Sequence, residues 1–217
     1  MIHHHPDDEL LLAAAAGTLD TGASIVVTAH LESCAQCRLA VRRFEDVGGE
    51  MLEASEPMAV ADDALAKALA AIDSPVPPRP APSPRMTRPS LPAGLRWPHS
   101  LARCTVSSWR RLGPGMRYSR VTVPHDRDAN VFLLRMDAGK AVARHTHVGR
   151  ELTHVMHGSF HDGRSLFAAG DFDAADESVH HEPVLGVDSE CICLASVSGR
   201  LVFDSAVARA ISALAGI

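Results

Sequence analysis

HLESCAQC, residues 30–37, sets one imidazole and two thiols in an H-x3-C-x2-C string within a stretch otherwise rich in Ala, Leu and Val. Helical positions i, i+4 and i+7 fall along one stripe, and two thiolates with an imidazole are donors that tetrahedral zinc takes. In an unbroken helix, however, Cys37 would lie about 10 Å along the axis from His30, too far for side chains of this length to share an ion. The chain must therefore break near Ser33, with Cys34 opening a new turn. Propensity alone would score Ile25-Val26-Val27-Thr28 as strand. A strand would send the three donors to different faces, so a helix is expected from about Thr21 to Ser33.

Working outward, Asp7 to Ala16 reads as a short helix with acidic residues in its first turn and Gly17 at its end. A third helix is expected from about Cys34 to Leu52 and a fourth from about Ala59 to Ile72. The fourth ligand falls to the His3-His4-His5 run ahead of the first helix, and spacing does not choose among the three. With all four positions filled by protein, such a metal is structural and has no place for a substrate. It would fix the crossing of helices too short to persist alone. C-x2-C also serves redox enzymes, but the βαβ setting they require is missing. Residues 73–92 hold eight prolines and form a linker. The chain thus divides into a helical domain over 1–72, the linker, and a second domain over 93–217, each with enough apolar residues for a core of its own.

Charge divides the same way. Residues 1–72 carry 12 acidic and 4 basic side chains, a net of −8, against a net of +3 over 73–217. Phosphate binding needs clustered Lys and Arg, so direct nucleic-acid contact by the helical half is excluded. An acidic helical module suits a basic protein partner. No run of about 18 apolar residues is free of charge, and the first residues lack the layout of a signal peptide. A cytoplasmic protein without a membrane span is expected. Five cysteines, an odd number, then argue for metal binding over a disulfide framework.

Beyond the linker the texture changes to short apolar segments separated by Gly, Asp and Pro. Trp109–Leu112, Tyr118–Val123, Ala129–Met136, Glu151–Met156, Ser165–Ala169 and Cys191–Val197 are strand-length, as in an antiparallel sandwich or barrel, with a final helix over Ala206–Ala215. In a strand His145, His147 and Glu151 share parity and reach one face, with Gly149 permitting a bend between them. Joined by a third His from a distant strand, they make a mixed N/O site that accepts Zn, Mn, Fe or Ni. His154 has the opposite parity and reads as exposed or hydrogen-bonded. Cys191 and Cys193 read as core, as do Met51, Met58 and Met136.

HHPDDELLLAAAAGTL followed by HLESCAQC resembles the zinc-binding domain of the ChrR-type anti-sigma factors. That resemblance implies His5, His30, Cys34 and Cys37 as the zinc ligands. H-x-H-x3-E-x6-G, at His145, His147, Glu151 and Gly158, resembles the first cupin motif. Gly170-Asp171 followed by His180-His181-Glu182-Pro183 fits the second loosely, with Ala169 where cupins commonly have Pro. The H-x-P arrangement of ChrR-like cupins falls on His181, which completes the implied ligand set. The fold class is therefore α+β and multidomain: a zinc-bound helical bundle, then an antiparallel cupin sandwich or barrel with a terminal helix.

The resemblance implies an anti-sigma factor that sequesters an extracytoplasmic-function sigma factor through its first domain, with the cupin half sensing oxidative stress such as singlet oxygen. An alternative is a cupin dioxygenase or isomerase with a helical dimerisation module, in which Arg144 and Arg150 are candidates for substrate contact. Oligomeric state is left open.

Overall fold

A computed structural model describes residues 1–74 and 88–215; most of the linker expected over 73–92 lies outside the described residues. Helices α1 (Asp8–Ala16), α2 (Thr21–Ser33), α3 (Ala35–Glu53) and α4 (Ala64–Asp73) come first. Strands β1 (Thr105–Val106), β2 (Arg110–Gly113), β3 (Met116–Val123), β4 (Asp126–Met136), β5 (His145–His157), β6 (Ser159–His161), β7 (Leu166–Ala168), β8 (Phe172–Ala175), β9 (Val184–Leu185) and β10 (Cys191–Phe203) follow, and α5 (Ala206–Ala215) ends the described chain.

Helix ends follow local chemistry. Asp7 caps α1 by accepting from the Leu10 N–H at 2.8 Å, and Gly17 stops it with φ of 67°, a conformation that costs a glycine little. Asp20 caps α2 in the same way through the Ala23 N–H at 2.8 Å. Cys34, extended at φ −103° and ψ 105°, both ends α2 and caps α3, so the break falls beside Ser33 as the ligand spacing demands. Tertiary burial overrides the strand propensity of residues 25–28, since Ile25, Val26 and Val27 are all buried within α2.

All strand pairing is antiparallel. A seven-stranded sheet runs β1-β3-β4-β10-β5-β8 with β2 on β3, and a three-stranded sheet runs β7-β6-β9. Alternation separates the two faces of the large sheet. Val131, Leu133, Leu152, Ile192 and Leu194 point to α2 and share one core with Val26, Val27 and Ala29. Phe132, Leu134, Glu151, Thr153, Cys193 and Ala195 point the other way and line the barrel interior. Glu32 near the end of α2 adds a polar tie, its carboxylate accepting the His99 and Ser100 N–H groups at 2.8 Å each.

α3 is anchored only near its start. Cys37 is its one buried residue, with Ala40, Val41 and Phe44 half-buried against Leu11. α4 has no buried residue. Met136 is buried in the barrel, but Met51 and Met58 are 72% and 91% exposed, which corrects their reading as core: beyond Phe44 the chain leaves the elements that could cover them.

Gly149 has φ of 89° and pairs with Gly199, and a Cβ there would lie 1.7 Å from the Ser198 carbonyl oxygen. β5 keeps its register with β10 through this position and spans 13 residues in all. Gly149→Ala is expected to lower stability by roughly 2–4 kcal/mol, read as a fall in urea midpoint at constant slope. A midpoint equal to that of the unaltered chain would show that this position tolerates a side chain.

Candidate metal centres

The turn between α2 and α3 faces the leader. His5 Nδ1 lies 3.4 Å from Cys34 Sγ and 3.3 Å from Cys37 Sγ, and His30 Nε2 lies 3.3 Å from Cys37 Sγ. Donor atoms of all four residues fall within 4.8 Å of one another. Zinc–nitrogen and zinc–sulfur bonds at tetrahedral angles give edges of roughly 3.4–3.8 Å, so this donor set fits a zinc ion. Burial, reinforced by Cys34, pushes the Cys37 thiol up to about 12, and only a cation at this spot would make a thiolate tenable. His4 is turned away, its Nε2 3.2 Å from the Leu166 carbonyl, and His3 is exposed.

The barrel supports this corner. Asp171, buried at the turn before β8, accepts the N–H groups of His3 at 2.7 Å and His4 at 3.1 Å, and the His30 Nδ1 lies 3.0 Å from the Gly170 carbonyl. With Nδ1 donating to that carbonyl, Nε2 keeps its lone pair for the thiol side, the tautomer a metal ligand needs. The Gly170-Asp171 turn forms despite Ala169, with Gly170 at φ 96° and the Asp171 N–H donating to Ala168 at 2.9 Å. His154 is not exposed, although its ring does hydrogen-bond, to the Asp171 backbone. It is buried with Nδ1 lacking a partner among the described residues, its ring 5.7 Å from His30, because its parity puts it under α2.

Inside the barrel, His145, His147, Glu151 and His181 form a second group of the same compactness. His147 Nε2 is 2.7 Å and His145 Nε2 3.7 Å from Glu151 Oε2, and His181 Nε2 is 3.2 Å from His145 Nε2. Each Nδ1 is occupied on the far side: by Ala143 O at 2.9 Å, Asp176 O at 3.1 Å and, for His181, the Asp162 carboxylate at 3.4 Å. Three Nε2 atoms and a carboxylate thus converge, which fits a divalent ion such as Zn, Mn, Fe or Ni. Burial would raise Glu151, but hydrogen bonds from His145 and His147 outweigh it and hold the group ionised. His180, beside His181, is at the surface, 3.1 Å from the Asp204 carboxylate. A third group, Asp162, Asp173 and His181, already holds a cation, because Arg164 bonds Asp162 at 2.6 Å and Asp173 at 2.9 Å. Arg144 and Arg150 do not line the interior, and Arg150 lies 3.8 Å from Glu9.

Burial lowers His30, His154 and His181 to about 4 each. Their folded values lie below the unfolded value of about 6.5, so folding favours the neutral form. Their contribution is complete above about pH 6.5 and is lost as pH falls toward 4. In the metal-free chain each should cost about 2 kcal/mol near pH 5 relative to neutral pH. Urea midpoints after chelation, compared at the two pH values, check this; equal midpoints would refute it.

Sequence reasoning missed Asp162, Asp171 and the Asp176 carbonyl, the groups that orient the candidate ligands. The Gly170-Asp171 pair was visible as a turn, but nothing local marked its carboxylate as the leader's anchor.

The antiparallel barrel with three imidazoles and a carboxylate converging inside it defines a cupin, and residues 99–198 match the family described as "ChrR Cupin-like domain". Similarity extends across the helical half: the chain is 38% identical over 204 residues to the anti-sigma-E factor ChrR of Cereibacter sphaeroides, covering 94% of this chain and 93% of that one. The protein therefore belongs to the ChrR family of anti-sigma factors. It is also similar to the ChrR chain in the crystal structure of Rhodobacter sphaeroides SigE in complex with the anti-sigma ChrR, at 35% identity and a TM-score of 0.71, covering 91% of this chain and all of that one. Among the described residues no single helix is long and apolar enough to cross a membrane.

Proposed function

We propose that this chain sequesters a sigma factor of the extracytoplasmic-function group through residues 1–72, joined by the 73–92 segment to a barrel that senses the releasing signal. The observation that carries the reading is the collinear 38% identity to an anti-sigma factor over 94% of the chain, both halves included. It favours a regulator over a cupin dioxygenase or isomerase.

The surface of α3 and α4 supports it. Val47, Met51, Leu52, Leu65, Leu69 and Ile72 are each more than half exposed and lie among acidic residues. Such an apolar face with an acidic rim suits a protein partner, and its charge disfavours nucleic acid. Zinc at His5, His30, Cys34 and Cys37 would hold α3 in place. A divalent ion at His145, His147, Glu151 and His181 would brace the barrel. Oxidation of a thiolate ligand is the route by which singlet oxygen or a related stress would release the partner.

Because α2 shares its core with the sheet, the test uses the full chain. Co-expression with a tagged sigma factor encoded nearby, followed by pull-down and metal analysis, is expected to recover a complex with zinc bound. Recovery of the chain alone, under conditions where the sigma factor is soluble, would refute the reading.

A further inference from the structure

We propose that the barrel interior binds a small, largely apolar molecule carrying one oxygen-bearing head group. This deepens the reading of the barrel as the sensing half and rests on it only for its biological consequence.

The interior holds a cavity of about 310 Å³, walled by apolar side chains such as Phe132, Leu134, Met136 and Leu201. Its polar side chains are few: His145, Glu151 and His181 of the candidate metal group, Thr153 and Asp173, and Ser205 at the foot of α5. An apolar body with a single polar head matches that distribution, whereas a sugar or nucleotide would bury hydroxyls against Phe and Leu without partners. Size sets a second limit. A cavity of about 150 Å³ takes a benzene-sized guest, so twice that volume holds roughly twelve non-hydrogen atoms. Decanoate has that many. Val207 and Ala208 of α5 line the same cavity, and Arg209 ties the helix down through the Phe203 and Asp204 carbonyls at 2.7 and 2.8 Å. An occupant would therefore touch α5 as well as the sheet.

Calorimetric titration of the purified, metal-loaded full chain with straight-chain carboxylates from hexanoate to tetradecanoate tests the size limit. Affinity is expected to rise about fourfold for each added methylene up to about decanoate, then to fall once the cavity is full. Octan-1-ol run beside octanoate reports the head: tighter octanoate binding assigns an anionic group, tighter octan-1-ol binding a neutral one. Ala195, buried on the cavity wall, gives the site control. Ala195→Phe should weaken octanoate at least tenfold while metal content and far-ultraviolet circular dichroism stay as in the unaltered chain. Failure of every chain length to bind saturably, or affinity climbing without a break through tetradecanoate, would overturn the proposal. Undiminished binding by a folded A195F would do the same. If A195F does not fold, the length series decides. No sigma factor enters these titrations, so their failure leaves sequestration standing, and a failed pull-down leaves the ligand site standing.

Discussion

Replacing Cys34 and Cys37 together by Ser is expected to strip zinc from the helical corner and to weaken capture of the sigma factor by at least about 100-fold. The size of the effect follows from how little else holds α3. Cys37 is its one buried residue, every residue of α3 past Phe44 is exposed and α4 has no buried residue, so the corner is the main attachment of α3 and of the α4 segment that follows it. Structural zinc in small modules contributes roughly 10–16 kcal/mol at neutral pH, far more than the few half-buried contacts of Ala40, Val41 and Phe44 could replace. Serine preserves size and polarity but does not give a ligand anion near neutral pH, so the substitution removes the ion rather than the packing. The barrel has its own interior core and α2 is held by the sheet, so a cooperative unfolding transition should persist in the double variant. His145→Ala serves as the contrast: it should lose metal from the barrel while the zinc at the corner and sigma capture remain. A zinc-free double variant that binds the sigma factor as tightly as the unaltered chain would remove the metal from the account of sequestration.

The parts of this arrangement that were legible in the sequence are those where ligand chemistry constrains the chain locally. H-x3-C-x2-C demanded a helix broken beside Ser33, and the demand outweighed the strand propensity of Ile25-Val26-Val27-Thr28; the structure has that break at Cys34. Period-two parity put His145, His147 and Glu151 on one face because all three lie on one strand. What was not legible depends on which elements become neighbours. The exposure of His154 could not be judged without knowing that α2 covers that face. Asp171 and Asp162 act on residues more than 160 and 19 positions away, in contacts that only the docked leader and the His145–His181 bridge create. β1, β6, β8 and β9, at two to four residues, are too short for any period to show. Met51, late in α3, and Met58, beyond its end, misled for the opposite reason: an apolar side chain reads as core, and both stand exposed.

Asp171→Ala is the second large effect, because one carboxylate on the barrel holds the strand of leader that carries His5. Burial would raise Asp171, but the N–H groups of Ala168, His3 and His4 outweigh it and keep the group ionised. Its Oδ1 takes His3 and His4 at 2.7 and 3.1 Å, and its Oδ2 takes Ala168 at 2.9 Å. The flanking residues repeat the tie: Gly170 O lies 3.0 Å from His30 Nδ1, and the Phe172 N–H donates to His4 O at 3.1 Å. Removing the carboxylate frees two leader N–H groups and lets His5 drift from the thiols, while His30, Cys34 and Cys37 stay positioned by α2 and α3. Losing an orienting partner typically costs 10–100-fold in metal affinity, and that is the drop expected for Asp171→Ala in competition with a chelator. Asp171→Asn keeps one acceptor oxygen and should fall between it and the unaltered chain. Saturating zinc should restore sigma capture in both variants, which a general loss of folding would not allow. The metal content of the barrel should stay unchanged, since His145, His147, Glu151 and His181 make no contact with the leader. Zinc affinity unchanged in Asp171→Ala would mean that the corner supports itself and that the barrel has no hold on the module that grips the sigma factor.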